Sequence, residues 1–573
     1  MKVSLQDFKK YVPIATWLPK YQRNLLRADV IAGITVWGVV VPSAMADAGL
    51  AGMPPQAGLY AAFAGLIAFA IFSTSKHVKV SATATAAVMS AAIVSELNPG
   101  GDLARYAALS AMMALLVGAI IVVVGSVKLG FISEFISKPV ITGFLFGVGI
   151  DIIVRQAPKL FGIPGGSGNV FARIAQLISG IGGTNIWTLG IGLVSLSLIL
   201  ILRRYCPRIP GPLVALVLGI LISSTLKLNQ QGVSVVGSIP NGLPSLTIPN
   251  VSIPDLTLLM AEAGGLVFLT IGETISLSRG FAARHNYDID PNQDLIALGV
   301  ANLSSGLFQG FTIGASKSPT LTGDQAGNQT QLSSIVSSIL VVATLVLLAP
   351  FFTSLPNAVL AAVVISAVAR LLDVKTLVWF YRDFRRDFLP AIIALLGVIA
   401  IDLVPGLLIA VFLSIVMVVY VASKPHLAVL GRVPSQPNNY SDSARHPEVK
   451  SLPGLLILRI DTPLFFANAN VTRSQILKSI STSVPPPKAV LLDIGASAGL
   501  DFTSLDMLKT LFSELEATKI ELLLAHVSDP VREKLRRSGL LDKLGESRIF
   551  LSLDSGVQDF MSRHPTLDDQ TLT

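Results

Sequence analysis

Long uncharged stretches of apolar residues recur along the chain between Val30 and Ala422, separated by short polar connections. A helix that crosses a bilayer needs about 20 consecutive, mostly apolar residues, and runs of this kind fill most of this region. The pattern predicts fourteen membrane-embedded segments, near 29–46, 55–73, 82–96, 104–126, 139–157, 184–202, 212–228, 257–280, 293–309, 316–330, 333–353, 356–372, 388–402 and 405–423. We therefore expect a polytopic α-helical membrane protein, with its transmembrane domain over residues 28–425.

Two of these segments differ from the others. Segment 82–96 is short and begins with alternating alanine and threonine, and segment 316–330 is polar for a spanning helix. Each is the third segment of a seven-segment half. An odd number of segments makes the two halves run in opposite senses, so the two broken helices would meet N-terminus to N-terminus near the middle of the membrane. Interrupted segments at corresponding positions of two halves indicate the substrate site of a transporter.

Composition excludes an ordinary soluble protein. Of the 573 residues, 52% are hydrophobic and only 14% are charged, whereas a soluble domain has about 25% charged residues. Many apolar runs contain glycine, as in residues 143–147, and small residues let helices pack closely in lipid. The single cysteine, Cys206, excludes a disulfide framework or a thiolate metal site.

The net charge of +8 is explained by topology and not by nucleic-acid binding, because the basic residues lie in short loops between apolar runs. Residues 1–27 are basic, which predicts a cytoplasmic N-terminal segment, and the even number of segments returns the C-terminus to the cytoplasm. We expect a multi-pass protein of the cell inner (plasma) membrane. The later basic residues that this topology places on the inner side are Lys76, Lys79, Lys128, Lys138, Arg203, Arg204, Arg208, Arg279, Arg284, Arg370, Lys375, Arg382, Arg385 and Arg386.

The composition changes after the last apolar segment. Residues 426–451 are predicted to be a linker, because much of this stretch is rich in Pro, Ser and Asn. Apolar runs of strand length lie at 455–460, 489–494 and 521–525. They alternate with segments at 504–515 and 530–538 whose apolar residues have helical spacing. This alternation predicts a small cytoplasmic α/β domain over residues 452–565.

Several ordered motifs resemble the sulfate permease (SulP) family of anion transporters. They are ADVIAGITV at 28–36, PSAMA at 42–46, LAGMPP at 50–55, GLYA at 58–61, VGSIPNGLP at 236–244, AGNQT at 326–330, TPLFFANA at 462–469 and DFTS at 501–504. The resemblance implies 7+7 inverted repeats, divided into a core domain that carries the substrate and a gate domain that forms a homodimer. It further implies elevator-like movement of the core and a C-terminal STAS domain.

In this family an anion lies between the N-terminal ends of the third and tenth helices. A helix N-terminus offers unpaired N–H groups and about half a positive charge, so two facing ends hold an anion with few charged side chains. The alternative role of the hydroxyls here is hydrogen bonding to carbonyls of their own helix. The resemblance implies that the substrate-binding residues are Ser43, Asp47, Thr83, Ala84, Thr85, Ser316, Lys317, Ser318 and Thr320.

Three positions depart from the family pattern. The family commonly has Gln at the position of Ser43, an aromatic residue at that of Asp47, and a cation after the serine that aligns with Ser318. Here Pro319 follows that serine, although Lys317 lies two residues before Pro319. Lys317 either restores the positive charge, held by Asp47 or Asp324 when the site is empty, or extends to the outer vestibule. A gained acid and a lost cation keep a substrate other than a simple anion open.

Glu273 lies midway along the eighth segment, with no cation within one helical turn. An acid inside the membrane is costly and is by default a functional residue. We interpret Glu273 as the ion-coupling residue, the alternative being a static hydrogen-bonded role in the core. Asp151 and Arg155, four residues apart in the fifth segment, are expected to neutralise each other.

Together these features favour a secondary active transporter of anions, coupled to protons or sodium, with sulfate first and bicarbonate or a dicarboxylate next. The alternatives are a passive anion channel or uniporter, a carrier of a non-anionic substrate, and a membrane-anchored signalling module. An enzyme is not expected, because the chain has no phosphate-binding loop and its histidines show no triad or metal spacing. Apart from H+ or Na+, no cofactor or metal is expected.

Overall fold

The computed structural model describes residues 11–98, 102–130, 137–166, 168–206, 209–237, 242–369, 371–401, 403–434 and 436–565. Residues 1–10 of the predicted N-terminal segment, Arg208, Arg370 and positions 238–241 of the mid-chain motif lie outside these ranges. The chain divides into two compact units, with the boundary between Ser414 and Ile415.

A helix occupies each of the fourteen predicted segments. Their bounds are α1 Leu26–Leu50, α2 Pro55–Phe72, α3 Ala84–Leu97, α4 Leu103–Ser126, α5 Lys138–Phe161, α6 Ile186–Tyr205, α7 Gly211–Thr225, α8 Ile253–Arg284, α9 Pro291–Leu307, α10 Lys317–Gln325, α11 Leu332–Ala343, α12 Asn357–Val368, α13 Arg385–Ala400 and α14 Leu403–Ala422. Within the described residues, six helices are long and apolar enough to cross a membrane unaided: α1, α2, α4, α5, α6 and α8.

The third and tenth helices are interrupted, as predicted. Helix α3 has 14 residues and α10 has only 9, and each follows a two-residue strand, β1 Val80–Ser81 and β2 Gly314–Ala315. The strands pair antiparallel, with Val80 opposite Ala315 and Ser81 opposite Gly314. This pairing brings the starts of the two helices together.

Helix contacts group the transmembrane elements into a core and a gate. In the core, α4 packs on α9, and α2 packs on both α9 and α11. In the gate, α5 packs on α12 and α13, and α6 packs on α12. The contact between the fourth helix of one half and the second of the other occurs in both directions, as inverted repeats require. Close packing depends on glycine: a Cβ on Gly143 would lie 1.9 Å from the carbonyl oxygen of Ala391 in α13.

Among the described residues of the transmembrane unit, two further α-helices longer than one turn were not predicted from the sequence, Val170–Gly180 and Val374–Asp383. Both are amphipathic and too short to span a bilayer, so a search for long apolar runs misses them. Phe171 and Ile178 are exposed on the first of these helices. Exposed apolar residues on one face are typical of a helix that lies in the membrane interface.

Lys79 does not lie on an inner loop, as the charge pattern predicted. Its side chain is 0% exposed, and Nζ donates to Ser333 Oγ at 2.7 Å and to Asn328 Oδ1 at 3.3 Å. Lys79 precedes β1 directly, and the pairing of β1 with β2 draws it into the core. The charge of Lys79 therefore gives no information about membrane orientation.

The C-terminal unit contains a six-stranded sheet with helices packed on it. The strands are β3 Leu427–Val433, β4 Gln436–Asp442, β5 Leu455–Ile460, β6 Ala489–Asp493, β7 Glu521–Ala525 and β8 Ile549–Phe550, and their order is β4-β3-β5-β6-β7-β8. Strands β5 to β8 are parallel, whereas β3 pairs antiparallel with β4 and β5. The helices are α15 Ala469–Thr482, α16 Phe502–Ala517, α17 Asp529–Arg537, α18 Leu540–Leu544 and α19 Leu553–Arg563.

The predicted α/β domain is confirmed, but the prediction of a linker over 426–451 is wrong. These residues include β3 and β4, which extend the sheet on one side. The sequence does not indicate a strand at β4, because β4 reads QPNNYSD, which is poor in strand-forming residues. Asp501 caps α16, since Asp501 Oδ1 accepts the backbone N–H of Ser504 at 2.8 Å.

Candidate functional site

The start of α3 presents unpaired backbone donors. Thr83 is the N-cap, and its hydroxyl accepts the N–H of Ala86 at 3.4 Å. The N–H groups of Ala84 and Thr85 have no hydrogen-bond partner within the described residues. The first N–H groups of a helix lack intrahelical acceptors, so these two remain available to a ligand.

The start of α10 has the same character. Ser316 is the N-cap but makes no side-chain cap bond, and its own N–H donates to the carbonyl oxygen of Lys79 at 2.8 Å. Along the described chain, the N–H groups of Lys317 and Ser318 have no acceptor. Pro319 is the third residue of α10, where its missing N–H removes one further donor. The two helix starts therefore supply four free N–H groups.

A cavity of about 420 Å³ lies where these helix starts meet. It is lined by eight of the nine predicted substrate-binding residues, Ser43, Asp47, Thr83, Ala84, Thr85, Ser316, Lys317 and Ser318, and by Glu273. The structure thus brings together residues from α1, α3, α8 and α10.

Thr320 is the predicted residue that the structure places elsewhere. Its side chain is 0% exposed, its hydroxyl donates to the carbonyl oxygen of Ser316 at 2.7 Å, and the same hydroxyl accepts the N–H of Lys79 at 3.0 Å. Its N–H also donates to the carbonyl oxygen of Ser316. One turn into α10, the helix has rotated this residue away from the cavity, so Thr320 holds the helix start and does not line the cavity.

The hydroxyls at the cavity are largely engaged within the protein. Ser43 donates to the carbonyl oxygen of Val39 at 2.8 Å, which is the intrahelical bond expected as its alternative role. Thr85 donates to Glu273 Oε2 at 3.0 Å. Substrate contacts at these positions therefore depend more on the backbone N–H groups than on the side chains.

Glu273 lies between two cavities. It lines the main cavity and also a second one of about 240 Å³, and Lys317 lines both. Although no cation is near Glu273 in the sequence, the fold places Lys317 close enough for an electrostatic interaction. The carboxylate therefore has both a hydrogen-bond donor and a cation as neighbours.

Asp47 and Lys317 form no salt bridge within the described residues, and the Asp47 carboxylate accepts no hydrogen bond there. Asp47 therefore does not hold Lys317. Asp324 does not hold it either, because its carboxylate binds Arg284 at 2.8 Å and His285 at 2.7 Å.

Arg203, at the end of α6, also lines the cavity and was missed as a site residue. Its only signal in the sequence was its place in a basic run, which the topology argument assigned to a loop. Outside the cavity, Asp151 and Arg155 form the predicted pair, with Nε to Oδ2 at 2.6 Å.

Comparison with known proteins identifies the transmembrane region. Residues 26–394 match the sulfate permease family, and residues 446–556 match the STAS domain. The chain belongs to the sulfate permease family. A probable sulfate transporter of Mycobacterium tuberculosis is 34% identical over 555 residues, or 96% of this chain and 99% of the relative. Sulfate transporter 1.3 of Arabidopsis thaliana is 28% identical, over 97% of this chain and 88% of its own length.

Solved structures have the same fold as this sulfate permease family member. The murine anion transporter Slc26a9 in its inward-facing state has a TM-score of 0.90 and 23% identity, covering 98% of this chain and 96% of the other. The transmembrane domain of the cyanobacterial bicarbonate transporter BicA has a TM-score of 0.59 and 23% identity, covering 69% and 98%. The protein is therefore a multi-pass membrane transporter with a STAS domain and not an enzyme.

Proposed function

We propose that this protein is a secondary active transporter of a small inorganic anion, with sulfate as the first candidate. The observation that carries the proposal is the set of four free N–H groups on two facing helix starts, all lining one cavity. Such N-termini favour anions electrostatically and by hydrogen bonding. The names of the family members, sulfate transporters among them, support the same substrate class.

Charged side chains at the cavity modify its affinity for anions. Lys317 adds a cation from the start of α10 and Arg203 adds one from the gate helix α6, whereas Asp47 adds a negative charge from α1. A doubly charged oxyanion gains most from two cations and two helix ends. Bicarbonate or a dicarboxylate follows sulfate on the same argument.

Coupling to H+ or Na+ is assigned to Glu273. This acid contacts the first turn of α3 through Thr85 and lines a second cavity, so it borders both the substrate region and a further space. Either a proton or a sodium ion on Glu273 would remove a negative charge from beside an incoming anion. That link favours symport over passive conduction.

We infer the movement of the core helices and the membrane orientation of the chain from the fold class. The core helices α1–α4 and α8–α11 carry the site, and the gate helices α5–α7, α12 and α13 pack mainly on one another. We propose elevator-like movement of the core against a gate that forms a homodimer. The N-terminus and the STAS domain, residues 452–565 together with β3 and β4, face the cytoplasm of the cell inner membrane. The STAS domain has a regulatory or dimer-supporting role.

Asp47 favours a second candidate function, the transport of a zwitterionic or cationic substrate. It is an unpaired carboxyl at the cavity, within the described residues, at a position where the family commonly has an aromatic side chain. A substrate with an ammonium group would use Asp47 as its partner.

Uptake into proteoliposomes tests the proposed function. Labelled sulfate, bicarbonate, a dicarboxylate and a zwitterion are offered with a pH gradient, a sodium gradient or neither. We expect one of the anions to accumulate above equilibrium only with a gradient, and a protonophore or sodium removal to abolish this. Gradient-independent equilibration indicates a passive channel or uniporter, and uptake of the zwitterion alone indicates the second candidate.

A further inference from the structure

Three side chains that bind metals come together outside the substrate cavity. His77 lies between α2 and β1, His285 follows the last residue of α8, and Asp324 lies near the end of α10. One ligand atom from each residue lies within 4.8 Å of the other two. The residues are far apart in the sequence, which is why spacing along the chain predicts no metal site.

Asp324 is held so that one of its oxygens faces the imidazoles. His285 Nε2 lies 2.7 Å from Asp324 Oδ1, and Arg284 Nη1 lies 2.8 Å from Oδ2. The rings of His77 and His285 are stacked, with centroids 4.1 Å apart and an angle of 10° between their planes. The guanidinium thus fixes the carboxylate from the side opposite to the histidines.

His77 is oriented from its other ring nitrogen. Its Nδ1 lies 3.3 Å from the hydroxyl of Tyr287, which lies 3.4 Å from Ser75 Oγ. This leaves Nε2 of His77 for a second partner. Metal-bound histidines almost always bond through the other nitrogen in this way, which fixes the ring and its tautomer.

We propose that His77, His285 and Asp324 form a binding site for a divalent transition-metal ion of the Zn²⁺ type. Two imidazoles and one carboxylate, with a water in the fourth position, are a donor set that Zn²⁺ uses. Bonds of about 2.1 Å place two tetrahedral ligands about 3.4 Å apart, so the ligand atoms must move closer together on binding. The two imidazole rings, which are stacked in this structure, must also turn so that both Nε2 atoms point at the ion. Mg²⁺ and Ca²⁺ are disfavoured because they select oxygen ligands.

Neighbouring cations limit the affinity of this site. Arg284 contacts Asp324 directly, and Lys76 Nζ lies 5.1 Å from the ring of Tyr287. With one carboxylate against these cations, binding is weaker than at a structural zinc site, and the ion exchanges. His285 is 33% exposed in its side chain, which gives the ion a route to the ligands.

A bound ion would tie together the elements that form the substrate site. His77 precedes β1 and α3, His285 ends the helix that carries Glu273, and Asp324 lies on the helix that begins with Lys317. These three elements supply the four N–H donors and the coupling acid. Metal occupancy therefore couples to the rigidity of the substrate site, which makes the ion a regulator of transport.

Zn²⁺ titration of the full-length protein tests this proposal. The protein is purified without a polyhistidine tag, stripped with a chelator and titrated by calorimetry, and its melting temperature is measured with and without Zn²⁺. We expect one Zn²⁺ per chain and a rise in melting temperature. His285→Gln and His77→Gln should weaken binding by about 10-fold or more and remove the rise. His446→Gln, which removes an exposed imidazole beside Glu448, is the matched control and should bind like the wild type.

Co²⁺ provides a second measurement, because its visible absorption reports nitrogen ligands and coordination geometry. Wild-type protein should give a spectrum of low coordination number that His285→Gln alters. Equal Zn²⁺ affinity in the wild type and in both cluster variants would overturn the proposal. If His77→Gln fails to fold, the partly exposed His285 position still decides the result.

Discussion

Thr85 donates its hydroxyl hydrogen to Glu273 Oε2 across 3.0 Å and so joins the first turn of α3 to the middle of α8. The backbone N–H of Thr85 is also one of the free donors at the cavity. In the proposed function, an anion at α3 and a coupling ion at Glu273 would therefore act on the same helical turn. This hydrogen bond would connect the two proposed binding events.

Glu273→Gln should abolish gradient-driven accumulation and leave exchange or substrate binding. Glutamine keeps the size and hydrogen bonding of the side chain but neither releases a proton nor balances a cation. Counterflow and gradient-driven uptake in proteoliposomes measure the two activities separately. Glu262→Gln, at an exposed acid of the same helix, is the control. Unchanged accumulation in Glu273→Gln would remove the coupling role.

Thr85→Val should weaken coupling, because it deletes the hydroxyl that bonds to Glu273 while keeping the shape of the side chain. Loss of a hydrogen bond to a charged group costs about 1.5–3 kcal/mol, or roughly 10-fold or more in the affinity that depends on it. Thr85→Ser retains the hydroxyl and should restore the wild-type ratio of accumulated to exchanged substrate. If serine and valine behave alike, the hydroxyl plays no part.

Thr320→Val should reduce stability without changing anion affinity. The buried hydroxyl of Thr320 bonds to the carbonyl oxygen of Ser316 and to the N–H of Lys79. Its removal leaves a buried donor unpaired, at a cost of about 1–3 kcal/mol. Thermal unfolding and equilibrium anion binding distinguish this role from the substrate contact that the sequence predicts, since a direct contact would lower affinity in the folded protein.

Cys206 provides a test of membrane orientation, since it is the single cysteine of the chain and is exposed. It directly follows α6, at an end that the basic residues place on the cytoplasmic side. A membrane-impermeant maleimide should label it in inside-out vesicles and not in intact cells. Cys206→Ser shows the background. Labelling from outside would invert the proposed topology.

The transmembrane plan was predictable because it depends on local composition. Apolar runs located all fourteen helices, and their interruption at α3 and α10 was visible as shortness in one and polarity in the other. These features need no knowledge of which residues meet across the fold.

Features that depend on contacts between distant residues were not predictable. Thr320 turns inward because its hydroxyl accepts the N–H of Lys79, and Lys79 is buried because Ser333 and Asn328 accept hydrogen bonds from its ammonium group. The cluster of His77, His285 and Asp324 likewise exists only in the folded chain. Periodicity identifies helices, but which polar groups share a site depends on tertiary packing.

Variants that change the charge at the substrate cavity test the proposed site and the substrate class together. If the two helix starts and Lys317 hold an anion, Lys317→Ala should raise the substrate Kd about 10-fold or more, since a charge-assisted hydrogen bond contributes roughly 1.5–3 kcal/mol. Lys375→Ala, at an exposed cation on a surface helix, is the matched control.

Asp47→Asn should tighten anion binding, most at alkaline pH, because it removes a negative charge from the cavity. A cationic or zwitterionic substrate predicts the opposite, with weaker binding in Asp47→Asn at every pH. Equilibrium binding of both variants across pH therefore tests the site and the substrate class together, and no effect from either variant would mean that neither residue contacts the substrate.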